Sequence, residues 1–469
     1  MNCYLLTVLL IVVLDVVLAR LPAGQNIIII QIDGYGAGLL NNSKHESTIG
    51  IREIIEHGGQ AERLKSVFPT QNWPTWVSAA TGLYTENHGI IADYIWDSKT
   101  GESFQQGVAS NESHYTWWSQ KPAPFWYTAA KQNVDIHCYW YAHCHLPHQD
   151  LVVQVPPKRI IDVNNPSQSD RLSEIFPEII NRIKKYEVYR QQMFLIHFSG
   201  LAHAQKTHGA NSDETDQALT RIDLYLHELQ KLIGDQNLWE TTNLIVYSDH
   251  GLVPMLEEEQ FYVEECLSDY SKIKKVVNSH SMMMIYTDPE DEGPIHFELR
   301  VCDQWAPTGD YDDSDVPMVK VFKMSELPEE LHWKDSPFMS GVVLITKPGT
   351  SVITRELSSI PSPTENQREL KMESGWEPEI NELHGIFVAR GPAFKENVKG
   401  GELALVDLYQ CFLNILGVEP DHDHNGTWDG IGELMTKGWE ERPTSRQNSG
   451  VVYCNYIPLL LSVLLLLRF

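Results

Sequence analysis

Asn26–Ile32 reads NIIIIQI, a β-branched run without the apolar/polar alternation of a half-exposed strand, and it ends in Asp33-Gly34. A strand that is apolar on both sides has to be covered on both sides, as in a parallel sheet between layers of helices. Leu195–Phe198 and Asn243–Tyr247 look similar, and Gly385–Ala389 reads as a fourth strand. Between them, Asp170–Tyr189 and Glu214–Ile233 carry apolar residues at helical spacing. The alternation predicts an α/β sandwich with a mostly parallel central sheet. Residues 25–434 read as one domain, with 288–374, richer in Pro, Asp and Glu, as a subdomain inserted over the sheet. Ligands in such folds sit beyond the carboxyl ends of strands. That directs attention to Asp33, to the segment from Ser199 on, and to Asp249-His250.

The body of the chain is acidic, with a formal charge of −27 from 36 basic and 63 acidic side chains. Phosphate-backbone binding needs a basic face, so nucleic acid is excluded as a partner. Docking on anionic lipid through a basic patch is disfavoured for the same reason.

The ends place this body outside the cell. Residues 1–19 read as a signal peptide closing on Val17-Leu18-Ala19, with an N-terminal membrane anchor as the other reading. Residues 435–450 read as a linker, followed by a hydrophobic tail over 451–469. Asn448-Ser449-Gly450, a short spacer and the Leu-rich tail are ordered as in a glycolipid-anchor signal attached at Asn448. A single transmembrane span stays open as the alternative. An exported chain gives the cysteines and sequons meaning. Spacing pairs Cys138 with Cys144 and Cys266 with Cys302, leaving Cys411 in an apolar run. Asn41, Asn111 and Asn425 each head a glycosylation sequon.

An Asp at one strand end and an Asp-His pair at another are suitable ligands for a divalent cation, zinc above all. At these positions the chain resembles a known family, the ectonucleotide pyrophosphatase/phosphodiesterases of the alkaline-phosphatase superfamily. The stretches IIIIQIDGYG, SVFPTQNWPTWVSAATGLYTENHGII, IVYSDHGL, ELPEELHW and FVARGPAFKENV carry the resemblance, and LVDLYQCFLNILGVEPDHDHNGT fits as well. It runs from Ile27 to about Leu434 and implies an alkaline-phosphatase-like sandwich with a two-zinc phosphodiesterase site.

The resemblance implies one zinc held by two Asp and a His beside a Thr or Ser nucleophile, matched here by Asp33, Asp249 and His250. The nucleophile position falls on Asn72, which has no hydroxyl, and a phosphate-holding Asn falls on Thr75. For the second zinc, the Asp, His and late His positions fall on Ala202, Lys206 and Ser374. A rival register puts the first two on Ser199 and His203. An amide is a poor nucleophile, and loss of a hydroxyl and a metal each removes several kcal/mol of transition-state stabilisation.

The expectation is a surface-anchored pseudoenzyme with at most one zinc. It would bind a phosphorylated small molecule or a cell-surface protein, with Asn72, Thr75 and Lys206 as anion contacts. The alternative is a hydrolase of phosphodiester or pyrophosphate bonds, in nucleotides or choline phosphodiesters, that works with the single retained zinc. Lys206 could stand where the second cation stood or point to solvent from a loop. Trp73, Trp76, Tyr84 and Trp96 read as core or as a stacking surface, and Asp421-His422-Asp423-His424 as a solvated turn or a further metal site.

Overall fold

The computed structural model describes residues 25–439, apart from 41–47, 106–121, 143, 145–158, 161–170, 187–189, 257–259, 303–316, 335 and 355–369. Residues 1–19, Asn41, Asn111, Asn448 and the tail 451–469 lie outside the described residues. Among the described residues, no helix is long and apolar enough to cross a membrane.

Eleven strands form the two larger sheets. Seven form the central sheet: β1 (Asn26–Ile32), β2 (Gly58–Lys65), β3 (Asp135–Tyr139), β4 (Gln192–Phe198), β5 (Thr242–Tyr247), β10 (Phe387–Arg390) and β11 (Val398–Ala404). Their order is β11-β2-β10-β5-β1-β4-β3. The sheet is parallel except for β10, which runs antiparallel to both β5 and β2. The fourth expected strand is therefore present and reversed, a direction that hydrophobicity cannot encode.

The isoleucine run is explained by its two faces. Ile27 and Ile29 pack into one core with Phe125, Leu408 and Phe412, while Ile28, Ile30 and Ile32 pack into another with Ile51, Ile179, Leu226 and Ile233. All seven residues of β1 are buried. Helices α1 (Ile49–Glu56), α4 (Phe176–Tyr186) and α6 (Asp213–Asp235) cover one face. Helices α3 (Phe125–Lys131) and α7 (Asp407–Leu416) cover the other. The α6 start follows local rules: Ser212 accepts from the Thr215 amide, and Asp213, Glu214 and Asp216 lie at the positive end of the helix dipole. Helix α4 begins at Phe176, with Pro177, which lacks an amide proton and belongs in a first turn, as its second residue.

A second sheet, order β6-β7-β9-β8, is antiparallel: β6 (Ile273–Ser279), β7 (Met282–Thr287), β8 (Val319–Lys323) and β9 (Val342–Thr346). It starts ahead of the Asp288 boundary read from composition, because β6 and β7 form a hairpin of ordinary strand sequence. Helix α2 (Asn72–Thr81) packs its Trp73, Trp76 and Val77 into the core that contains Met282, Met284 and Val343 of this sheet. Both expected disulfides form, Cys138–Cys144 and Cys266–Cys302, and Cys411 is free and buried. Met435 and Trp439, read above as the start of a linker, are buried in the main core. Asn425 is exposed, and its side-chain carbonyl accepts the Tyr84 amide at 3.0 Å.

One glycine shows how tightly the strand ends are joined. A Cβ on Gly385 would lie 1.8 Å from the Ser248 carbonyl oxygen, and the Gly385 amide and carbonyl both bond to Leu64 at 2.9 Å. Gly385→Ala is expected to cost about 1–3 kcal/mol through overpacking, seen as a lower thermal midpoint by circular dichroism. An unchanged midpoint would contradict this packing.

Candidate metal centre

Three strand ends and one helix start converge on the site. Asp33 follows β1, and its amide bonds to the Phe198 carbonyl at the end of β4 at 3.0 Å. The chain then turns at Gly34 (φ 74°), where a Cβ would lie 2.9 Å from Ala202 Cβ. Asp249 and His250 follow β5. Their turn is held by Ser248, whose Oγ accepts from the Tyr35 amide at 3.0 Å and donates to the His250 carbonyl at 2.9 Å.

Asp33, Asp249 and His250 are buried, and one ligand atom from each lies within 4.8 Å of the others. His250 Nδ1 donates to the Gly251 carbonyl at 3.0 Å, which aims Nε2 at Asp33 Oδ1 (3.7 Å) and Asp249 Oδ2 (3.8 Å). Asp33 Oδ1 and Asp249 Oδ1 are buried with no hydrogen-bond partner. Burial raises the Asp33 carboxyl above its ordinary range, nearby His250 opposes the rise and Asp249 adds to it. Two dry carboxylates and an oriented imidazole nitrogen form a donor set that fits a divalent cation of zinc type.

Helix α2 brings in Asn72 and Thr75. Asn72, the first residue of the helix, places Oδ1 3.0 Å from His250 Nε2. Asn72, expected above to stand at the nucleophile position, is thus at the cluster, and its side chain is an amide. Thr75 has no exposed surface, and its hydroxyl lies 2.5 Å from Asp249 Oδ2. The hydroxyl also lies 2.9 Å from the Gln71 carbonyl and 3.0 Å from the Asn72 carbonyl, and the Asp249 carboxylate is its nearest acceptor, so Thr75, expected above as an anion contact, is placed to orient Asp249.

The second set is built differently. Helix α5 (Gly200–His208) carries Ala202 and Lys206 one turn apart on one face. Lys206 sits in a helix, not a loop, and its Nζ lies 2.6 Å from Glu373 Oε1, with side chains 22% and 14% exposed. Glu373 is carried by the antiparallel pair Val253–Pro254 and Met372–Glu373. The Lys371 amide bonds to the Lys206 carbonyl at 2.8 Å, tying this pair to the end of α5. Glu373 Oε1 also accepts the Ser374 amide at 2.9 Å, and Ser374 is buried. In the rival register Ser199 precedes α5 and His203 is exposed, outside the buried group.

Two carboxylates at this site escaped the sequence reading. Glu373 neighbours Ser374, but nothing local marks it as a partner of Lys206. Asp93 accepts the Trp73 amide at 2.8 Å, and burial pushes its carboxyl up to about 7 against that bond and the Lys206 charge. Burial by itself would lower the Lys206 ammonium, but Glu373 and Asp33 together hold it above its ordinary value.

The other aromatic and acidic features have structural work. Trp73 and Trp76 are core, Tyr84 stacks on His332 at 4.1 Å, and Trp96 meets Tyr286 edge-on at 5.0 Å. In the Asp421–His424 turn, His422 bonds to Asp421 and to the Thr81 carbonyl, and Lys131 pairs with Asp421 at 3.3 Å. Among the described residues, Asp33, Asp249 and His250 are the one group of at least three His, Cys, Asp or Glu placed to hold a metal ion.

The sequence model of the type I phosphodiesterase / nucleotide pyrophosphatase family matches residues 27–385. The bis(5'-adenosyl)-triphosphatase enpp4 of Xenopus laevis is 23% identical over 428 residues, 88% of this chain and 82% of that protein. Human ectonucleotide pyrophosphatase/phosphodiesterase family member 5 is 21% identical over 426 residues, 88% and 79% of the two chains. The solved structure of human ectonucleotide pyrophosphatase / phosphodiesterase 5 superposes with a TM-score of 0.72 at 20% identity, covering 88% of this chain and all (100%) of that one. The murine protein, solved as an inactive threonine-to-alanine variant in complex with AMP, gives 0.71 at 19% identity with the same coverage, 88% and 100%.

Proposed function

The chain belongs to the type I phosphodiesterase / nucleotide pyrophosphatase family, and on that basis we propose that it is an extracellular protein that binds a phosphate ester beside one divalent metal ion. Asp33, Asp249 and His250 would hold the ion, which supplies a Lewis-acidic contact for a phosphoryl oxygen. The observation that carries this reading is the contrast between the two halves of the site. One half keeps a buried Asp/Asp/His set with unpartnered oxygens, while the other holds the Lys206–Glu373 ion pair. An amide at Asn72, where the family resemblance expects a hydroxyl nucleophile, supports binding over turnover. In the murine relative, a single threonine-to-alanine change accompanies inactivity.

The ligand class is a nucleoside phosphate ester, supported by the AMP complex of one relative and the diadenosine-triphosphatase name of another. Two disulfides and the ectonucleotidase relatives support the extracellular location. Attachment through Asn448 completes the reading as a surface-anchored protein, with release by a glycolipid-anchor-specific phospholipase as its check.

A second reading follows from the retained set itself. Asp33, Asp249 and His250 would hold one cation, which would supply the Lewis acidity for hydrolysis of a phosphodiester or pyrophosphate, making the chain a slow one-metal hydrolase. The secreted ectodomain separates the two. Elemental analysis is expected to find one zinc per chain, AMP to bind only with zinc present, and diadenosine triphosphate and nitrophenyl phosphodiesters to persist at the uncatalysed rate. Turnover that disappears in Asp249→Ala would replace binding with hydrolysis, and a metal-free protein that still binds AMP would overturn both.

A further inference from the structure

We propose that a cavity beyond the carboxyl ends of β2 and β11 binds a small organic ammonium, a primary amine on a short apolar stem. Asp33, Asp249 and His250 do not line this cavity, so the proposal stands apart from the metal centre and from the phosphate-ester reading.

Strand β2 ends at Lys65 and its parallel neighbour β11 ends at Ala404, so the chain leaves the sheet twice at one place. The Leu405 amide bonds to the Lys65 carbonyl at 2.8 Å and keeps the two exits together. Between these exits and the segment around His332 lies a cavity of about 230 Å³. Val67, Phe68 and Leu405 give it a buried apolar lining. Tyr84 and His332 line it as a stacked pair with ring centroids 4.1 Å apart. The Glu86 amide donates to the His332 carbonyl at 3.0 Å, which fixes the pair from behind.

Charge selects the ligand. Among the lining residues, Glu330, Glu379 and Glu402 are acidic and Lys65 is basic. Lys65 pairs with Glu379 at 3.0 Å, and Arg63 pairs with Glu402 at 2.6 Å. Glu330 is exposed and has no ion pair among the described residues, which leaves one carboxylate in excess. Ser66 supplies an unmet polar group inside: it lines the cavity, is 5% exposed, and its buried Oγ has no hydrogen-bond partner. A buried hydroxyl left unpaired is costly, and an ammonium N–H donated to it removes that cost. The excess negative charge disfavours a phosphate and attracts a cation, for which aromatic walls are also suited. The volume falls below the roughly 300–1,000 Å³ of pockets for drug-sized ligands, which limits the amine to a small one.

The test is saturation-transfer NMR on the secreted ectodomain, titrated with phenethylamine and with phenethyl alcohol as the uncharged counterpart. The amine is expected to bind saturably and the alcohol at least about 5-fold more weakly. Glu330→Gln is expected to weaken the amine by about 2–5-fold, and Glu330→Lys to remove its binding. Ser66→Ala is expected to weaken it by about 5-fold while the thermal midpoint holds or rises, because the hydroxyl removed has no partner in the free protein. A lowered midpoint with unchanged amine affinity would make Ser66 a purely structural residue and overturn its part in the site. Chelation of bound metal is expected to leave amine binding unchanged, and a loss would assign the amine to the metal centre and overturn the proposal. Equal affinity for amine and alcohol, or full amine binding in Glu330→Lys, would overturn it as well. Tighter binding of acetyl-lysine methylamide than of phenethylamine would replace the free amine with a lysine side chain of a protein.

Discussion

Asp249→Ala is expected to weaken Zn²⁺ binding by more than about 100-fold and to remove the stabilisation that zinc gives the folded chain. Asp249 has no exposed surface, one oxygen is held by Thr75 and the other is unpartnered. It is a ligand held in place before the ion arrives. Loss of the groups that orient metal ligands already costs about 10–100-fold in affinity, and loss of a ligand costs more. Zinc at 100 times its dissociation constant stabilises a native protein by about 2.7 kcal/mol. Wild type should therefore melt higher with zinc than without, and Asp249→Ala should show no difference. Titration calorimetry and paired melting curves check both statements, and unchanged zinc affinity in the variant would remove Asp249 from the site.

The metal-free protein carries a pH signature with a definite sign. Burial raises the folded-state Asp33 carboxyl above its ordinary range, so between the two values the folded chain holds more proton than the unfolded chain. Stability then falls as pH rises from the ordinary carboxylate range through the raised value. Added zinc should flatten that fall, because the ion replaces the proton.

The second large effect concerns turnover. Asn72→Thr alone is expected to raise phosphodiester hydrolysis by less than about 10-fold, since the new hydroxyl would face only one cation and Lys206–Glu373 would remain. Combining Asn72→Thr with Ala202→Asp, Lys206→His and Ser374→His is expected to raise it by about 1,000-fold or more, equivalent to about 4 kcal/mol of barrier. Bis-p-nitrophenyl phosphate in excess zinc provides the assay, and a melting curve shows that the combined variant is folded. A folded combined variant that binds two zinc ions and remains inactive would show that the missing residues are not what closes the catalytic route. A large gain from Asn72→Thr alone would instead identify the amide as the only block.

The legible parts of this protein are those where a local pattern has one physical meaning. An unbroken isoleucine strand requires cover on both faces, and two helical layers supply it. Carboxylates and an imidazole directly after buried strands meet because parallel neighbours end on the same side of the sheet. Pairings between cysteines at short separations were legible for a similar reason. The reversal of β10 was not, since a strand and its reverse bury the same side chains. Nor were the buried positions of Met435 and Trp439, which follow a compact-looking domain end and read as linker until the core is seen.

Sequence by itself determined the α/β class, the acidic character of the body, the Asp33/Asp249/His250 set and the amide at Asn72. Each depends on residue type and on position relative to a strand end. Only the tertiary structure decided that Thr75 is placed to orient Asp249, that Lys206 is turned inward, and that Glu373 is its carboxylate partner. Those roles are set by which strands and turns are packed side by side. Lys206 and Glu373 lie far apart along the chain, and their attraction becomes decisive only where folding has removed the water between them.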